Sequence, residues 1–305
     1  MKAFFKNNFL FILCLTLVYP ILIVFTGFLI PQLFHPNISY KLGAYGNMFT
    51  RIKEAKKIEN VDILFLGSSH AYRGFDNRNF EELKTFNLGS SSQTPIQTQV
   101  LLNRYLSTLN PKMVIYEVFP SPFTSDGVES SLDVISNDKN DYQSIEMALK
   151  INNIKVYNTL IYSFFRDYLR LNQSFLEPIE KGNDKYISGG FVESKIKNYK
   201  FIKATKREWN FNKKQLKAFN ENLNLLKHKN IKTILVYAPI TKSLYNSYQN
   251  NDYVDSLLTS YNMLYYNFNN IVSLDDSLNF NDDNHLNQNG VDVFNKKLVQ
   301  VLNLK

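Results

Sequence analysis

The sequence is poor in the residues that build disulfides and metal sites. Its 305 residues include one cysteine, Cys14, and four histidines. A single cysteine excludes a disulfide within the chain and a cysteine-based metal site. The histidines are scattered and form no His-x-x-x-His pair, which argues against a dedicated zinc site. We therefore expect no metal and no cofactor.

The sequence also lacks a concentrated patch of positive charge. The net charge is +8, but the lysines are spread along the chain and no Arg/Lys cluster is interleaved with aromatic residues. Nucleic-acid binding leaves such a footprint, so we expect no nucleic-acid partner. The apolar content of 44% and charged content of 20% are ordinary for a globular protein. This length accommodates one large α/β domain or two small ones.

One long apolar run lies near the N-terminus. Residues 9–30 carry no charge, and a helix of this length spans about 33 Å, enough for a bilayer core of about 30 Å. Lys2 and Lys6 precede it, which places residues 1–8 in the cytoplasm. The alternative is a cleaved signal peptide, whose apolar region is shorter and ends in small residues. We interpret 9–30 as a single-pass anchor in the cytoplasmic (inner) membrane, 31–59 as a connector, and the remainder as extracytoplasmic.

Beyond residue 60, apolar runs that end in turn residues alternate with helical stretches. The predicted strands are Val61–Leu66, Thr85–Gly89, Met113–Val118, Ile231–Tyr237 and Met263–Phe268, and Gly290–Leu302 is a final helix. This alternation predicts a three-layer α/β/α domain with a mostly parallel sheet over residues 60–305. The connection at about 121–210 is too long for a plain crossover. We interpret it as an insertion that caps the carboxyl edge of the sheet.

Two polar stretches stand where such a domain places its chemistry. Gly67-Ser68-Ser69-His70 follows the first strand, and Asp282-x-x-His285 precedes the last helix. Ligands of open α/β sheets bind outside the carboxyl ends of the strands. An acid three residues before a histidine can hold one imidazole nitrogen and leave the other to take a proton from a serine. Each stretch alone is common in turns, but together they predict a serine-based site.

With Gly89 at the end of the second strand, these stretches resemble the SGNH, or GDSL-type, hydrolase superfamily. The resemblance covers roughly residues 60–303, apart from 121–210. It implies Ser69 as nucleophile, His285 as general base and Asp282 as the acid that orients it. The backbone N–H groups of Ser69 and Gly89 would form the oxyanion hole. Ser68, the alternative nucleophile, is interpreted as a turn residue.

The chain departs from the family pattern after the third strand. The family usually has an oxyanion-binding Asn there, whereas this chain has Tyr116 to Ser121 with no Asn. Glu117 could donate a hydrogen bond only when protonated. Loss of one such donor typically costs about 10²–10³ in turnover, so a catalytically weak or inactive carbohydrate-binding or scaffold protein stays open. His70 and Glu117 are candidate substrate contacts, and packing is the alternative for His70.

Membrane-anchored relatives that also depart in this block include proteins that acetylate alginate and the D-alanylation protein of teichoic acid assembly. The resemblance therefore implies an esterase or O-acyltransferase that acts on acyl groups of a cell-envelope polysaccharide. A membrane acyl-transfer protein is the partner that it implies. An acyl-serine would be resolved by water in an esterase and by a sugar hydroxyl in a transferase. The sequence does not separate these two reactions.

Overall fold

The centre of the structure is a sheet of five parallel strands. The computed structural model describes residues 2–30, 37–43, 45–80, 82–197, 199 and 205–304. The strands are β1 (Ile63–Leu66), β2 (Thr85–Asn87), β3 (Met113–Glu117), β4 (Glu180–Lys181), β5 (Asp184–Ile187), β6 (Phe191–Ser194), β7 (Lys232–Tyr237) and β8 (Leu264–Asn267). The central sheet has the order β2-β1-β3-β7-β8, and all of its neighbours pair in parallel. Each of its strands lies within a stretch that the sequence predicts to be a strand.

Helices connect and cover these strands. They are α1 (Lys2–Leu29), α2 (Met48–Ala55), α3 (Ser69–Gly74), α4 (Pro95–Leu109), α5 (Ser121–Thr124), α6 (Val128–Asn137), α7 (Tyr142–Ile151), α8 (Ile154–Tyr168), α9 (Lys213–His228), α10 (Lys242–Ser247), α11 (Asn251–Thr259), α12 (Phe268–Ile271), α13 (Asp276–Asn279) and α14 (Gln288–Leu302). Short 3₁₀ turns lie at Tyr45–Asn47 and Asn77–Asn79. The predicted final helix, Gly290–Leu302, is α14 with two more residues at its start.

The sheet is buried on both faces. Along β1, Ile63 and Phe65 contribute to the apolar core on the side of α3 and α14, where the Phe65 and Phe75 rings stack 4.6 Å apart. Leu64 and Leu66 belong to the opposite core, with α4 and α9. Successive strand residues point to opposite faces, so a strand covered on both sides is apolar throughout. The predicted three-layer α/β/α architecture with a parallel sheet is confirmed.

The described residues of the connection at 121–210 form four helices and a separate small sheet. The longest of these helices is α8. The sheet is antiparallel and has the order β4-β5-β6. Helices α6 and α7 pack against α2 and α4 respectively, and β6 packs against α3. The insertion thus covers the flanks of the domain, and its first residues reach the carboxyl edge of the central sheet.

The N-terminal helix passes a length and composition test for a membrane span. Residues Lys6–Leu29 form a helical run of 24 residues, within which an 18-residue window reaches a mean hydropathy of 2.6. The predicted anchor at 9–30 coincides with this run, while residues 31–36 and 44 of the predicted connector lie outside the described residues. Within the predicted connector, α2 begins at Met48, because Asn47 directly before it adopts a left-handed conformation (φ 55°).

Candidate active site

Ser69 lies at the point where β1 turns into α3. Gly67, the first residue after β1, has a φ of +138°, and a Cβ there would lie 2.8 Å from the Cβ of Glu117. Glycine is the residue that tolerates both the conformation and the close approach. Ser68 then caps α3, because its hydroxyl accepts a hydrogen bond from the His70 N–H. This turn brings Ser69 to the carboxyl edge of the sheet as the first residue of the helix.

Three side chains form a continuous hydrogen-bonded line at this edge. The Ser69 Oγ lies 2.8 Å from the His285 Nε2. On the other side of the ring, His285 Nδ1 lies 3.0 Å from both carboxylate oxygens of Asp282. A carboxylate at Nδ1 keeps the proton on that nitrogen and leaves Nε2 as the acceptor for the serine hydroxyl. The structure therefore brings together Ser69, His285 and Asp282 in the order that the sequence predicts.

Asp282 is fixed by the turn that carries His285. Its carboxylate accepts hydrogen bonds from the backbone N–H groups of Asn284 and His285, at 3.0 and 2.8 Å. Partial burial would raise the pKa of Asp282, but the hydrogen bond and charge of His285 and these two N–H groups outweigh it and lower the pKa to about 2. Asp282 is thus ionised at neutral pH, as an orienting acid must be.

The loop that holds these two residues is tied to its surroundings by backbone bonds. Thr241, at the start of α10, donates both its N–H and its hydroxyl to the Asp283 carbonyl, at 3.1 and 2.8 Å. The Asn281 N–H bonds the His285 carbonyl at 2.9 Å, and Asn287 caps α14 directly afterwards. These contacts fix the backbone on both sides of His285.

His70 lies beneath the His285 ring. The centroids of these two rings are 5.0 Å apart, and their planes are inclined by 22°. The centroid of the Phe119 ring lies 4.0 Å from that of His70. His70 is only 5% exposed. Burial and the neighbouring charge of His285 hold the pKa of His70 well below its ordinary value, so the ring is neutral at neutral pH. His70 borders the pocket described below, as a candidate substrate contact should, but most of its surface packs against protein.

Glu117 does not reach the pocket, which corrects the expectation of a substrate contact. The side chain is 2% exposed and lies behind the β1–α3 turn. Its carboxyl accepts hydrogen bonds from the Phe119 N–H at 2.7 Å and from the Ser68 hydroxyl at 3.3 Å. Burial raises the pKa of Glu117 to about 8, against the opposing effect of these donors. Glu117 is thus buried between the ends of β1 and β3, and this burial keeps it from contacting a substrate in the pocket.

Gly89 is also placed differently from the expectation. Its N–H donates to the Asn87 Oδ1 at 3.0 Å, while the Asn87 amide donates to the Ala71 carbonyl at 2.8 Å. The N–H that was expected to bind an oxyanion is therefore already bonded inside the protein. Gly89 is moreover absent from the described residues that line the pocket. The local Asn87 side chain, which the resemblance does not take into account, is the cause.

The pocket above Ser69 has a volume of about 460 Å³ and is lined mainly by polar side chains. Its lining residues are Ser68, Ser69, His70, Tyr72, Arg73, Ser91, Ser92, Phe119, Ser121, Pro122, Ser125, Glu129, Asn284 and His285. Sequence reasoning missed Arg73, Ser91, Ser92 and Glu129. The Ser90-Ser91-Ser92 run after the second strand was the available signal, because it occupies the same sheet edge as Ser69.

Ser91 and Ser92 have backbone N–H groups that no other described residue accepts. Ser92 adopts a left-handed conformation, with φ of +49°, which is uncommon for a residue with a side chain. Such strain is often found at functional sites, where surrounding structure maintains it. Both residues line the pocket, whereas Gly89 does not.

Arg73 is the cationic residue of the pocket wall. Its guanidinium makes a paired contact with the Asp184 carboxylate, at 3.0 and 2.7 Å, and so links α3 to β5. Among the described residues, no group of three or more His, Cys, Asp or Glu side chains is arranged to hold a metal ion. The chemistry available at this site is thus that of the serine, the imidazole, the carboxylate and backbone donors.

Comparison with known proteins adds little to this description. No family model and no curated protein matches the chain. A crystal structure from Bacteroides fragilis NCTC 9343, provisionally described as an acylhydrolase, is similar with a TM-score of 0.41 and 11% sequence identity. That similarity covers 85% of this chain and 97% of the other. A similarity of this size carries no argument about function.

Proposed function

We propose that this protein is a membrane-anchored serine esterase or O-acyltransferase that acts on acyl groups of a cell-envelope polysaccharide. One observation carries the proposal: Ser69 Oγ, His285 and Asp282 form a hydrogen-bonded line at 2.8 and 3.0 Å. A serine is a weak nucleophile until a neighbouring base removes its proton. This line supplies the base and the acid that orients it.

The proposed reaction begins with attack of the Ser69 Oγ on the carbonyl carbon of an ester. The serine proton passes to His285 Nε2, and the charge of Asp282 stabilises the imidazolium that results. When the tetrahedral intermediate collapses, the carbon–oxygen bond to the alcohol breaks and His285 returns the proton to the departing oxygen. The acyl group then remains on Ser69 as an ester.

The second half of the reaction uses the same groups in reverse. His285 takes a proton from water or from a sugar hydroxyl, and that oxygen attacks the acyl-serine. Water gives a free acid and an esterase, whereas a sugar hydroxyl gives a new ester and a transferase. In both halves the oxyanion would be bound by the Ser69 N–H and by the N–H groups of Ser91 and Ser92, in place of Gly89.

The pocket lining supports a hydroxyl-rich substrate. Serines, Asn284, Glu129 and Arg73 offer donors and acceptors at several points of the wall. Such groups match the alternating hydroxyls of a sugar better than a long acyl chain, which apolar walls would favour. A polysaccharide that carries short acyl groups, such as acetyl, fits this composition. A membrane acyl-transfer protein would be the partner if the reaction is transfer.

A non-catalytic role is the second candidate, and the bonded Gly89 N–H favours it. With that donor used inside the protein and no Asn after β3, two of the expected oxyanion contacts are missing. Each missing contact costs about 10²–10³ in turnover if nothing replaces it. A protein that keeps the fold but binds polysaccharide without cleaving it would then result.

Substitution of the serine distinguishes the two roles. We expect wild-type protein to hydrolyse an activated acetyl ester and to be labelled by a fluorophosphonate, and Ser69→Ala to lose labelling and on the order of 10³-fold or more in turnover. Ser260→Ala is the matched control, because Ser260 is exposed at the end of α11. Wild-type turnover no higher than the uncatalysed rate, without fluorophosphonate labelling, would instead favour the non-catalytic role.

A further inference from the structure

The exposed large apolar side chains outside α1 are concentrated in one part of the chain. Among the described residues after position 30, nine of the sixteen that are exposed lie between residues 142 and 171. They are Tyr142, Ile145, Leu149, Ile154, Phe164, Phe165, Tyr168, Leu169 and Leu171, and we call them the apolar face. Single exposed apolar residues are normal on a soluble surface, whereas a concentration of this kind marks an interaction site.

Helix α8, which carries part of the apolar face, lies beside the second half of α1. The Tyr19 hydroxyl donates to the Asn158 Oδ1 at 2.6 Å, and the Phe28 and Tyr162 rings lie 5.2 Å apart. Between them Gly27 permits a close approach, since a Cβ there would meet the Tyr162 ring at 2.7 Å. Helix α8 is therefore packed along α1 over about three turns.

A groove of about 750 Å³ runs between these two helices. Its walls are formed by Pro20, Ile21, Val24, Phe25, Phe28 and Leu29 from α1, and by Ile161, Phe164, Phe165 and Tyr168 from α8. The groove is continuous with the candidate membrane span and its lining carries no charged residue. Exposure of this apolar surface to water would cost a free energy of about 25 cal/mol per Å² of apolar area.

The length of α1 gives an independent reason to place α8 at membrane depth. Residues 6–18 are all exposed, and the first contact with the domain is made by Tyr19. Those thirteen residues span about 20 Å, whereas a bilayer core of about 30 Å needs about 20 residues. The residues of α1 that follow Val18 must then lie within the bilayer, together with the helix that packs on them.

Four of the five charged side chains of α7 and α8, those of Glu146, Lys150, Arg166 and Asp167, contact other protein groups. Lys155, in the first turn of α8, has no side-chain partner among the described residues. Lys150 bonds Glu146 at 2.9 Å and Gln99 of α4 at 2.7 Å. Arg166 lies over the Tyr40 ring at 4.8 Å and bonds Asn172. These arrangements lower the cost of bringing the apolar face into contact with lipid, because those four charges keep their partners.

We propose that the apolar face of α7 and α8 is immersed in the outer leaflet of the membrane, and that acyl chains of bilayer lipids fill the groove between α1 and α8. The proposal rests on the membrane anchor of the proposed function. It is independent of the Ser69 chemistry, because none of the apolar-face residues lines the pocket. Two observations favour lipid over a protein occupant. The groove is lined by residues of the candidate membrane span, and the part of α1 that precedes Tyr19 is too short to cross the bilayer core alone.

Collision measurements on spin-labelled full-length protein test this proposal. Cysteines are introduced one at a time as Ile145→Cys, Phe164→Cys and the control Tyr253→Cys, in a Cys14→Ser background. Tyr253 is exposed on α11, away from the apolar face. Ile12→Cys reports the anchor itself. Each protein is labelled with a nitroxide and placed in nanodiscs of phosphatidylcholine and phosphatidylglycerol, and collisions with oxygen and with a water-soluble nickel chelate are compared.

We expect the ratio of oxygen to nickel collisions to be severalfold higher at residues 12, 145 and 164 than at 253. A water-like ratio at 145 and 164 together with a lipid-like ratio at 12 would overturn the immersion and leave the anchor intact. A water-like ratio at 12 as well would remove the anchor and the inference together. Shielding of 164 from both collision partners with dipolar broadening would identify a second copy in the groove and also overturn the proposal. Ester turnover of the same preparations reports the enzyme proposal separately.

Discussion

At the scale of single residues, the buried acid Glu117 makes the stability of the fold depend on pH. The acid is buried behind the turn that presents Ser69, and its pKa is raised to about 8. An acid whose pKa is raised on folding binds its proton more tightly in the folded state. Stability from this source is therefore fully present below the ordinary pKa near 4.5 and is lost as the pH rises through about 8.

Glu117→Gln should remove this pH dependence. Glutamine has no proton to lose, and its Oε1 can still accept the Phe119 N–H while its amide donates to the Ser68 hydroxyl. We expect the free energy of unfolding of the wild type to fall between about pH 5 and about pH 9 by more than that of the variant. Urea denaturation in detergent micelles at both pH values measures the difference. Glu146→Gln, at an exposed acid, is the control, and parallel curves for wild type and Glu117→Gln would contradict the prediction.

The residue scale also shows what a sequence can and cannot predict about a site. Ser69, Asp282 and His285 lie in turns whose spacing already limits where the side chains can go, and the structure brings them within hydrogen-bonding distance. Their catalytic role stays a prediction. The placement of Gly89 depends on the Asn87 side chain, and that of Glu117 on how deeply a strand end is buried. Neither is encoded in a motif.

At the scale of elements, Arg104 joins α4 to the helices of the insertion. Its guanidinium bonds Asp138, at the end of α6, at 2.9 Å, and Asp141, at the start of α7, at 2.7 Å. The side chains of Arg104 and Asp138 are 1% and 0% exposed. A buried acid that loses its partner keeps the cost of desolvation without the compensating attraction.

Arg104→Met should therefore destabilise the protein by about 3–5 kcal/mol, because Asp138 is left buried with only the half-exposed Lys56 as a cation. The midpoint of urea denaturation measures the loss. The double variant Arg104→Met with Asp138→Asn should recover part of the stability, since the buried charge is gone. A single variant as stable as the wild type would show that the ion pair contributes nothing to the attachment of the insertion.

The elements differ in how well their sequence predicts them. The inner strands β1, β3 and β7 are buried along most of their length on both faces, so their apolar runs are uniform enough to predict them, with boundaries displaced by a few residues. The edge strands β2 and β8 have only three and four residues, and Leu264 of β8 is exposed. The insertion at 121–210 is held by pairs distant in sequence, such as Arg104 with Asp141. Its small sheet comes from strands of two to four residues. Strands this short contain too few residues to show the alternation of apolar and polar side chains that would predict them.

At the scale of the whole molecule, the orientation across the membrane remains a proposal. Lys2 and Lys6 precede the apolar run of α1, and the domain follows it. The positive-inside rule then places the domain outside the cytoplasm. Alkaline phosphatase fused after Lys305 should be active in whole cells, because that enzyme needs an oxidising compartment. A cytoplasmic reporter at the same position is the control, and activity of that reporter instead would overturn the orientation.

The distance along the chain between Ser69 and His285 has a consequence for folding. The two residues are 216 positions apart, and the segment that carries His285 leaves the ribosome after most of the domain. Contacts between distant parts of a chain form late and slowly, because a large loop must close first. A growing chain would already contain α1 and Ser69 while it still lacked His285. Reactivity at Ser69 would then appear only once the last helix has docked, so that incomplete chains stay inert towards esters.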